Sequence, residues 1–456
     1  MNSVRSEKKL FGPVLFDETG LTRERIKSLR IVIYGIAFGT VCFNITNGIA
    51  MTGYLKSLGV SDFTFGLLIA IAPAAGLLQI LASFILERTR GRRTMFLIGG
   101  FLHRLVWLPF GLIPFFIPMS AMTLRIWIVT LFIILGAVGN QLISLSYQSL
   151  LADLIPIGIR GSFLGMRGRV STVMGILGGF MSAWFLDQFP GNQGYALVFA
   201  LATVVGSTDI ILFFWAEFPP MIEVEKQESI SFMLVDTLKN RNFLEIAGFI
   251  TIWHFSINLA TPFYLVYTRM SLGFSNTVIT LVAQILPNIC SVLILTYWGR
   301  LLDKKGLRPV MLNIGRLSSI APMLWLFVTP GPVAIVLVAI TYVSTGLLIP
   351  GMELCSNTAI LNRSPEQNRS MFLALYHCVN TFIGGALANA TAGWLLDNPL
   401  SSFERMGYQM FGVSFTRYNY LFFLSFVLRA VCAFILLPRM ISQDIRPRQS
   451  EAPTQS

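Results

Sequence analysis

The sequence predicts an all-α integral membrane protein of twelve transmembrane helices in two six-helix bundles related by a pseudo-two-fold axis. Three observations carry this reading: an apolar, charge-poor composition, twelve apolar runs of spanning length, and an internal repeat. Of the 456 residues, 54% are hydrophobic and 12% charged, and the mean hydropathy is +0.68. A soluble chain is about one-quarter charged because its surface faces water, so the excess apolar surface here is read as facing lipid.

Crossing roughly 30 Å of hydrocarbon takes about 20 apolar residues at 1.5 Å each. Runs of that size lie at 31–54, 64–86, 95–118, 126–151, 170–189, 194–216, 244–268, 275–298, 309–330, 332–360, 371–396 and 419–438. Basic side chains are retained on the cytoplasmic side. With both termini cytoplasmic, most of the 34 lysines and arginines fall inside, with Lys56, Arg125, Arg269, Arg405 and Arg417 outside and Arg104, Arg316 and Arg429 within spans. Residues 1–29 do not open like a cleavable signal peptide, so the first span is expected to be retained. The expected organisation is a cytoplasmic segment 1–30, a first bundle 31–216, a cytoplasmic linker 217–243 carrying Glu223, Glu225, Lys226 and Glu228, a second bundle 244–438, and a cytoplasmic tail 439–456.

The net charge of +12 is dispersed in short clusters between apolar runs, with no basic helix or RNA-binding aromatic motif, so nucleic acid is not an expected partner. Cys42, Cys290, Cys355, Cys378 and Cys432 sit in apolar runs without paired spacing, so neither disulfides nor a cysteine-ligated metal is expected.

The repeat supports the two bundles. Ser57-Leu58-Gly59-Val60-Ser61-Asp62 recurs as Ser271-Leu272-Gly273-Phe274-Ser275-Asn276, and the same offset carries Asn44 to Asn258 and Thr40 to His254. Trp184-Phe185-Leu186-Asp187 recurs as Trp394-Leu395-Leu396-Asp397, and Arg160, Phe163 and Leu164 match Arg369, Phe372 and Leu373. Halves with an even number of spans insert in the same sense, giving parallel repeats about an axis normal to the membrane.

Gly299-Arg300-Leu301-Leu302-Asp303-Lys304-Lys305-Gly306-Leu307-Arg308, between the eighth and ninth spans, resembles the loop signature G-x-x-x-D-[RK]-x-G-x-[RK] of the major facilitator superfamily. The first-half copy, Ser83, Glu87-Arg88 and Gly91-Arg92-Arg93, departs by serine for glycine, glutamate for aspartate and one inserted residue. Asp153, followed by Pro156, Arg160 and Arg167, is similar to the inter-helix charge pattern of bacterial members. The resemblance implies the two-bundle fold, alternating access, and a gating role for Glu87, Arg88, Arg92, Arg93, Asp303, Lys304, Gly306, Arg308, Asp153 and Arg160. Independently of the name, an acid at one helix end and a base at the next cap helix termini and pair neighbouring helices; the alternative is that the basic residues only set topology.

Polar side chains in spans are expensive unless they face a cavity or a partner. Thr40, Asn44 and Asn47 share one face of the first span, and His254, Asn258 and Thr261 repeat it on the seventh. The fourth adds Asn140, Gln141, Ser144 and Gln148; the tenth adds Glu353, Ser356 and Asn357. The resemblance implies that the first, fourth, seventh and tenth spans line a central cavity; hydrogen bonding between helices is the alternative. Glu353, one turn from Asn357, is a candidate to bind a cationic group or, with His254, to carry a coupling proton; the alternative is a structural pair with Arg316. Arg104 and Asp209, on spans peripheral in the family, read as a structural ion pair. His103 reads as packing, and His377 with Asn380 and Thr381 as a weaker cavity candidate. Gly175, Gly178, Gly179, Gly384 and Gly385 let backbones approach closely. The fifth span lacks the glycine-proline pair of the family's antiporters.

No HExxH or Walker A stretch occurs, and three histidines are too few for a multi-histidine di-iron site. The chain is therefore expected to be a secondary carrier and not an enzyme, without cofactor or metal. Its expected partners are a small-molecule substrate, a proton or other coupling ion, and the lipid bilayer. It is expected to be a monomer in a bacterial inner membrane; the alternative is a transport-inactive membrane sensor or assembly partner.

Overall fold

The computed structural model describes residues 22–220, 238–364, 369–407, 409–410 and 413–440. The expected segments 1–30 and 439–456 and the linker 217–243 fall largely outside the described residues. Twelve long helices lie within them: α1 Arg23–Ser57, α2 Asp62–Thr89, α3 Arg92–Phe116, α4 Met119–Leu154, α5 Arg160–Gln188, α6 Asn192–Trp215, α7 Arg241–Met270, α8 Asn276–Lys305, α9 Leu307–Phe327, α10 Ala334–Arg363, α11 formed by Arg369–Val379, Asn380–Leu387 and Ala388–Asp397, and α12 Arg417–Met440. A short helix, Pro399–Arg405, and a two-stranded hairpin pairing Gln409–Met410 with Val413–Ser414 join α11 to α12.

Most helices outrun their apolar runs because polar ends continue the helix into the interface and cap it. Thr22 accepts from the Arg25 amide, Ser61 from Thr64 and Ser275 from Val278. α1 breaks at Asn47 and Gly48, where Gly48 takes a φ of 72°, and α7 breaks at Leu259 and Ala260, the matching region of the repeat. Each break sits one turn or less beyond a duplicated asparagine, so the repeat reproduces a discontinuous helix as well as its side chains.

The two halves meet on the side away from the chain termini. Asp397, at the end of α11, accepts from the backbone N–H of Asp62 (3.3 Å) and Phe63 (2.7 Å) at the start of α2. Asp187, at the end of α5, accepts from the N–H of Asn276 (2.9 Å) and Thr277 (2.8 Å) at the start of α8. The sequence motifs that reveal the repeat thus meet as two carboxylate-capped helix N-termini, an arrangement the helix dipole favours. Gly66 and Gly393 make the α2–α11 crossing possible: a Cβ on Gly66 would lie 2.5 Å from the Asn389 carbonyl oxygen, and one on Gly393 would lie 2.4 Å from that of Asp62.

On the terminus side, side-chain contacts tie the helices of each half to one another. Arg25 donates to the carbonyls of Asp153 and Leu154, while Arg363 donates to those of Asn242 and Met440. No residue of α8 between Leu286 and Lys305 is buried. The contacts between the halves named above thus lie on the side away from the termini.

Candidate functional site

A cavity of about 460 Å³ is lined by α1, α3, α4, α5 and α6 of the first half, with Asn288 from α8 of the second. Thr40, Asn44, Asn140 and Ser144 line it; Gln141, one residue further around α4, does not. The Thr40 and Ser171 hydroxyls are 3.0 Å apart, joining α1 to α5. Asn44 donates to the Thr40 carbonyl at 3.0 Å and accepts from Gln284 of the other half. Asn47 caps the first segment of α1, is exposed, and lines two smaller cavities nearby.

Arg104 and Asp209 form the expected ion pair at 2.9 Å, both nearly fully buried. They also line the cavity, forming its back wall where the sequence placed a peripheral pair. Arg167 departs further from expectation. It projects into the cavity and not into the loop, its Nε donating to the Tyr147 hydroxyl at 3.3 Å and its guanidinium lying 5.2 Å from the centre of that ring.

In the second half three helices converge on one imidazole. His254 of α7 places Nδ1 2.8 Å from Asn380 Oδ1 of α11 and Nε2 2.8 Å from Glu353 Oε1 of α10. Glu353 remains half exposed, while Arg316, its alternative partner, lies 5.6 Å from the centre of the Phe434 ring. Asn380 opens a π-helical stretch, Asn380–Leu387, whose wider turn also presents the Gly384 carbonyl to the Asn258 amide at 2.7 Å. π-turns inside α-helices recur at functional sites. Thr261 bonds its own helix at the Ile257 carbonyl and Asn357 is exposed one turn beyond Glu353; neither joins the trio. His103 donates from Nδ1 to the Gly136 carbonyl (2.8 Å) and packs on Trp107, a structural role. His377 packs against the ring of Tyr376.

The loop residues divide. Arg92 pairs with Asp153 and donates to the Pro219 carbonyl, Arg93 donates to that of Phe214, and Arg160 to those of Ala152 and Ile155. Glu87, Arg88, Asp303, Lys304 and Arg308 form no ion pair with described residues, and Gly306 turns the chain at a φ of 79°. Gln284 and Asn288 escaped the sequence reading. Gln284 lies in a π-helical turn, Leu281–Ile285, where the regular face count used to find polar stripes fails.

No curated protein sequence matches the chain. Its fold matches the crystal structure of a bacterial homologue of the human lysosomal transporter Spinster in an inward-facing, occupied conformation, with a TM-score of 0.69 at 13% identity over 95% of this chain and 100% of that one. It likewise matches a D-xylose–proton symporter (TM-score 0.63, 16% identity, 92% and 99% covered) and a nucleoside transporter (0.64, 14%, 93% and 100%). At these identities the likeness is one of fold. The family model of the Major Facilitator Superfamily matches residues 33–389. With that match over most of its length, on a scaffold of two six-helix halves, the chain belongs to the Major Facilitator Superfamily and is a secondary transporter.

Proposed function

We propose that the chain is a proton-coupled carrier of a small molecule, working by alternating access, with the proton held by His254 and Glu353. One observation carries this reading: a histidine and a half-exposed carboxylate from two helices share a hydrogen bond at 2.8 Å inside spanning segments. The second ring nitrogen faces a side-chain oxygen, Asn380 Oδ1. With an acceptor at Nδ1, the ring carries its proton there, so the contact with Glu353 needs one more proton, on Nε2 or on the carboxyl. Neutral histidine beside ionised glutamate leaves the Nε2 contact without a hydrogen. Releasing that proton breaks a link between α7 and α10, which couples protonation to helix position.

The remaining assignments belong to the same proposal. Thr40, Asn44, Asn47, Asn140, Asn258, Thr261 and Asn357 are read as substrate-side polar groups of the two halves 31–216 and 244–438, joined by the linker 217–243. The distribution of basic residues supports cytoplasmic termini, so the cavity opens inward; a monomer in a bacterial inner membrane fits this reading. Arg92 and Asp153 hold the first-half loop together, and the unengaged Asp303 loop is read as the part that closes when the cavity faces outward.

Reconstitution tests the coupling. Vesicles holding a pH-sensitive dye are exposed in turn to sugars, organic acids, amino acids and amphiphilic drugs. A substrate-dependent pH change that vanishes in Glu353→Gln is the expected result. Substrate flux without proton movement in the wild type overturns the coupling, and absence of any flux favours the transport-inactive reading.

A further inference from the structure

The geometry points to a binding subsite at Arg167 for the anionic group, carboxylate or phosphate, of a small organic substrate. This rests on the carrier reading above and narrows it to a substrate class. Arg167 sits seven residues into α5, roughly 10 Å along the axis from Arg160. An arginine that only marks the terminus side needs no cavity, and Arg160 already binds the loop carbonyls while Arg169 is exposed. Arg167 instead lies on the Tyr147 ring, which is itself packed against Phe96 and Phe213 at 6.2 and 5.9 Å. This aromatic shelf fixes the plane of the guanidinium.

The donor count then singles out the site. Only Nε is engaged, with Tyr147, and no described residue accepts from either terminal nitrogen. A guanidinium presents those N–H groups as a planar fork that matches a carboxylate or phosphate two bonds at a time. Arg104 is neutralised by Asp209, so Arg167 leaves this cavity with one uncompensated positive charge. Asn140 and Asn288 also line the cavity, and their amides bond to no described residue. An anion on the fork with hydroxyl or amide groups reaching these two asparagines would satisfy all three side chains.

The test is thermal unfolding of the purified full chain in phosphatidylcholine nanodiscs. Succinate, lactate and inorganic phosphate are each compared with chloride at equal ionic strength, in wild type, Arg167→Lys and Arg167→Gln. A bound ligand raises Tm by mass action whatever the direction of transport. The expected result is a saturable rise with at least one anion, a weaker affinity in Arg167→Lys, and a loss of about tenfold or more in Arg167→Gln, as befits a charge-assisted hydrogen bond. If Arg167→Gln does not fold, Tyr147→Phe, which keeps the ring and removes the Nε anchor, is expected to weaken the same response. A response unchanged in these variants overturns the proposal. So does stabilisation by phosphatidylglycerol nanodiscs, dependent on Arg167, with no response to soluble anions, which assigns the guanidinium to a lipid headgroup. No anion response in a protein that still moves protons with a substrate overturns the subsite alone; an anion response without proton movement overturns the coupling alone.

Discussion

Thr40 of the first half and His254 of the second hold equivalent places in the repeat, and each reaches the fifth helix of its own half. Thr40 meets the Ser171 hydroxyl at 3.0 Å, whereas His254 meets Asn380 at 2.8 Å and then continues to Glu353. The same helix contact is thus made once between two hydroxyls and once between an imidazole and an amide oxygen, and only the imidazole extends to a carboxylate on a third helix. The outer junctions differ in the same spirit. Asp187 caps a helix that begins with neutral Asn276, while Asp397 caps one that begins with Asp62, a fully buried carboxylate held by Lys56, Arg417 and Tyr418. Duplication supplied the scaffold contacts, and divergence placed a cation on the cavity wall of one half and a hydrogen-bonded histidine and glutamate in the other.

The comparison can be broken most forcefully at Asp62. Asp62→Asn copies the residue of the other junction, yet it leaves the nearly buried Lys56 without its carboxylate, which costs about 3–5 kcal/mol, while Arg417 keeps Asp397 and Glu404. A Tm far below that of Asn276→Asp is expected in parallel unfolding scans; equal scans would make the two junctions equivalent. Next in size is the trio. Glu353→Gln and His254→Asn are each expected to cut proton-driven accumulation by about 5–150-fold, the usual span of a coupling energy, and the double variant to add little more. Additive losses in vesicle uptake would mean that the two residues act separately. The pH dependence has a definite sign. Because the His254–Glu353 contact needs the shared proton, proton-dependent loading is expected to weaken as pH rises on the side the cavity faces.

A smaller effect is expected at Asp187. Removing its charge weakens one helix cap by about 0.3–2 kcal/mol, so Asp187→Asn is expected to increase access of a thiol reagent to a cysteine placed on the outer side, without unfolding the chain. Unchanged labelling would separate this cap from gating. The smallest change belongs to Thr40→Val, where losing an inter-helix hydroxyl contact costs about 0.6 kcal/mol. Transport is expected to fall less than threefold; a loss as large as that of His254→Asn would erase the distinction between the halves.

Much of this arrangement was legible in the sequence. Run length gave twelve spans because the bilayer sets a length scale, and the copies Ser61-Asp62 with Ser275-Asn276 and Trp184 to Asp187 with Trp394 to Asp397 announced two halves. Helical spacing found Thr40, Asn44 and His254, since 3.6-residue periodicity holds along those stretches, and the cost of a charge inside a span singled out Glu353. It could not say that His254 meets Glu353 and not that Glu353 meets Arg316, because that depends on how three helices rotate about their axes. It missed Gln284 because a π-turn shifts the face, and it read Arg167 as a loop charge because the cavity penetrates α5 deeper than the apolar run suggests. The junction carboxylates were visible as repeat markers, but their capping role needed the partner helix from the opposite half.

The most direct test of one proton shared by His254 and Glu353 is pH-difference infrared spectroscopy on the wild type, Glu353→Gln and His254→Asn. A coupled pair titrates as a unit. A single transition combining carboxyl and imidazole bands, altered together in both variants, is the predicted result. A Glu353 carboxyl band that titrates at the same pH in His254→Asn as in the wild type would contradict it.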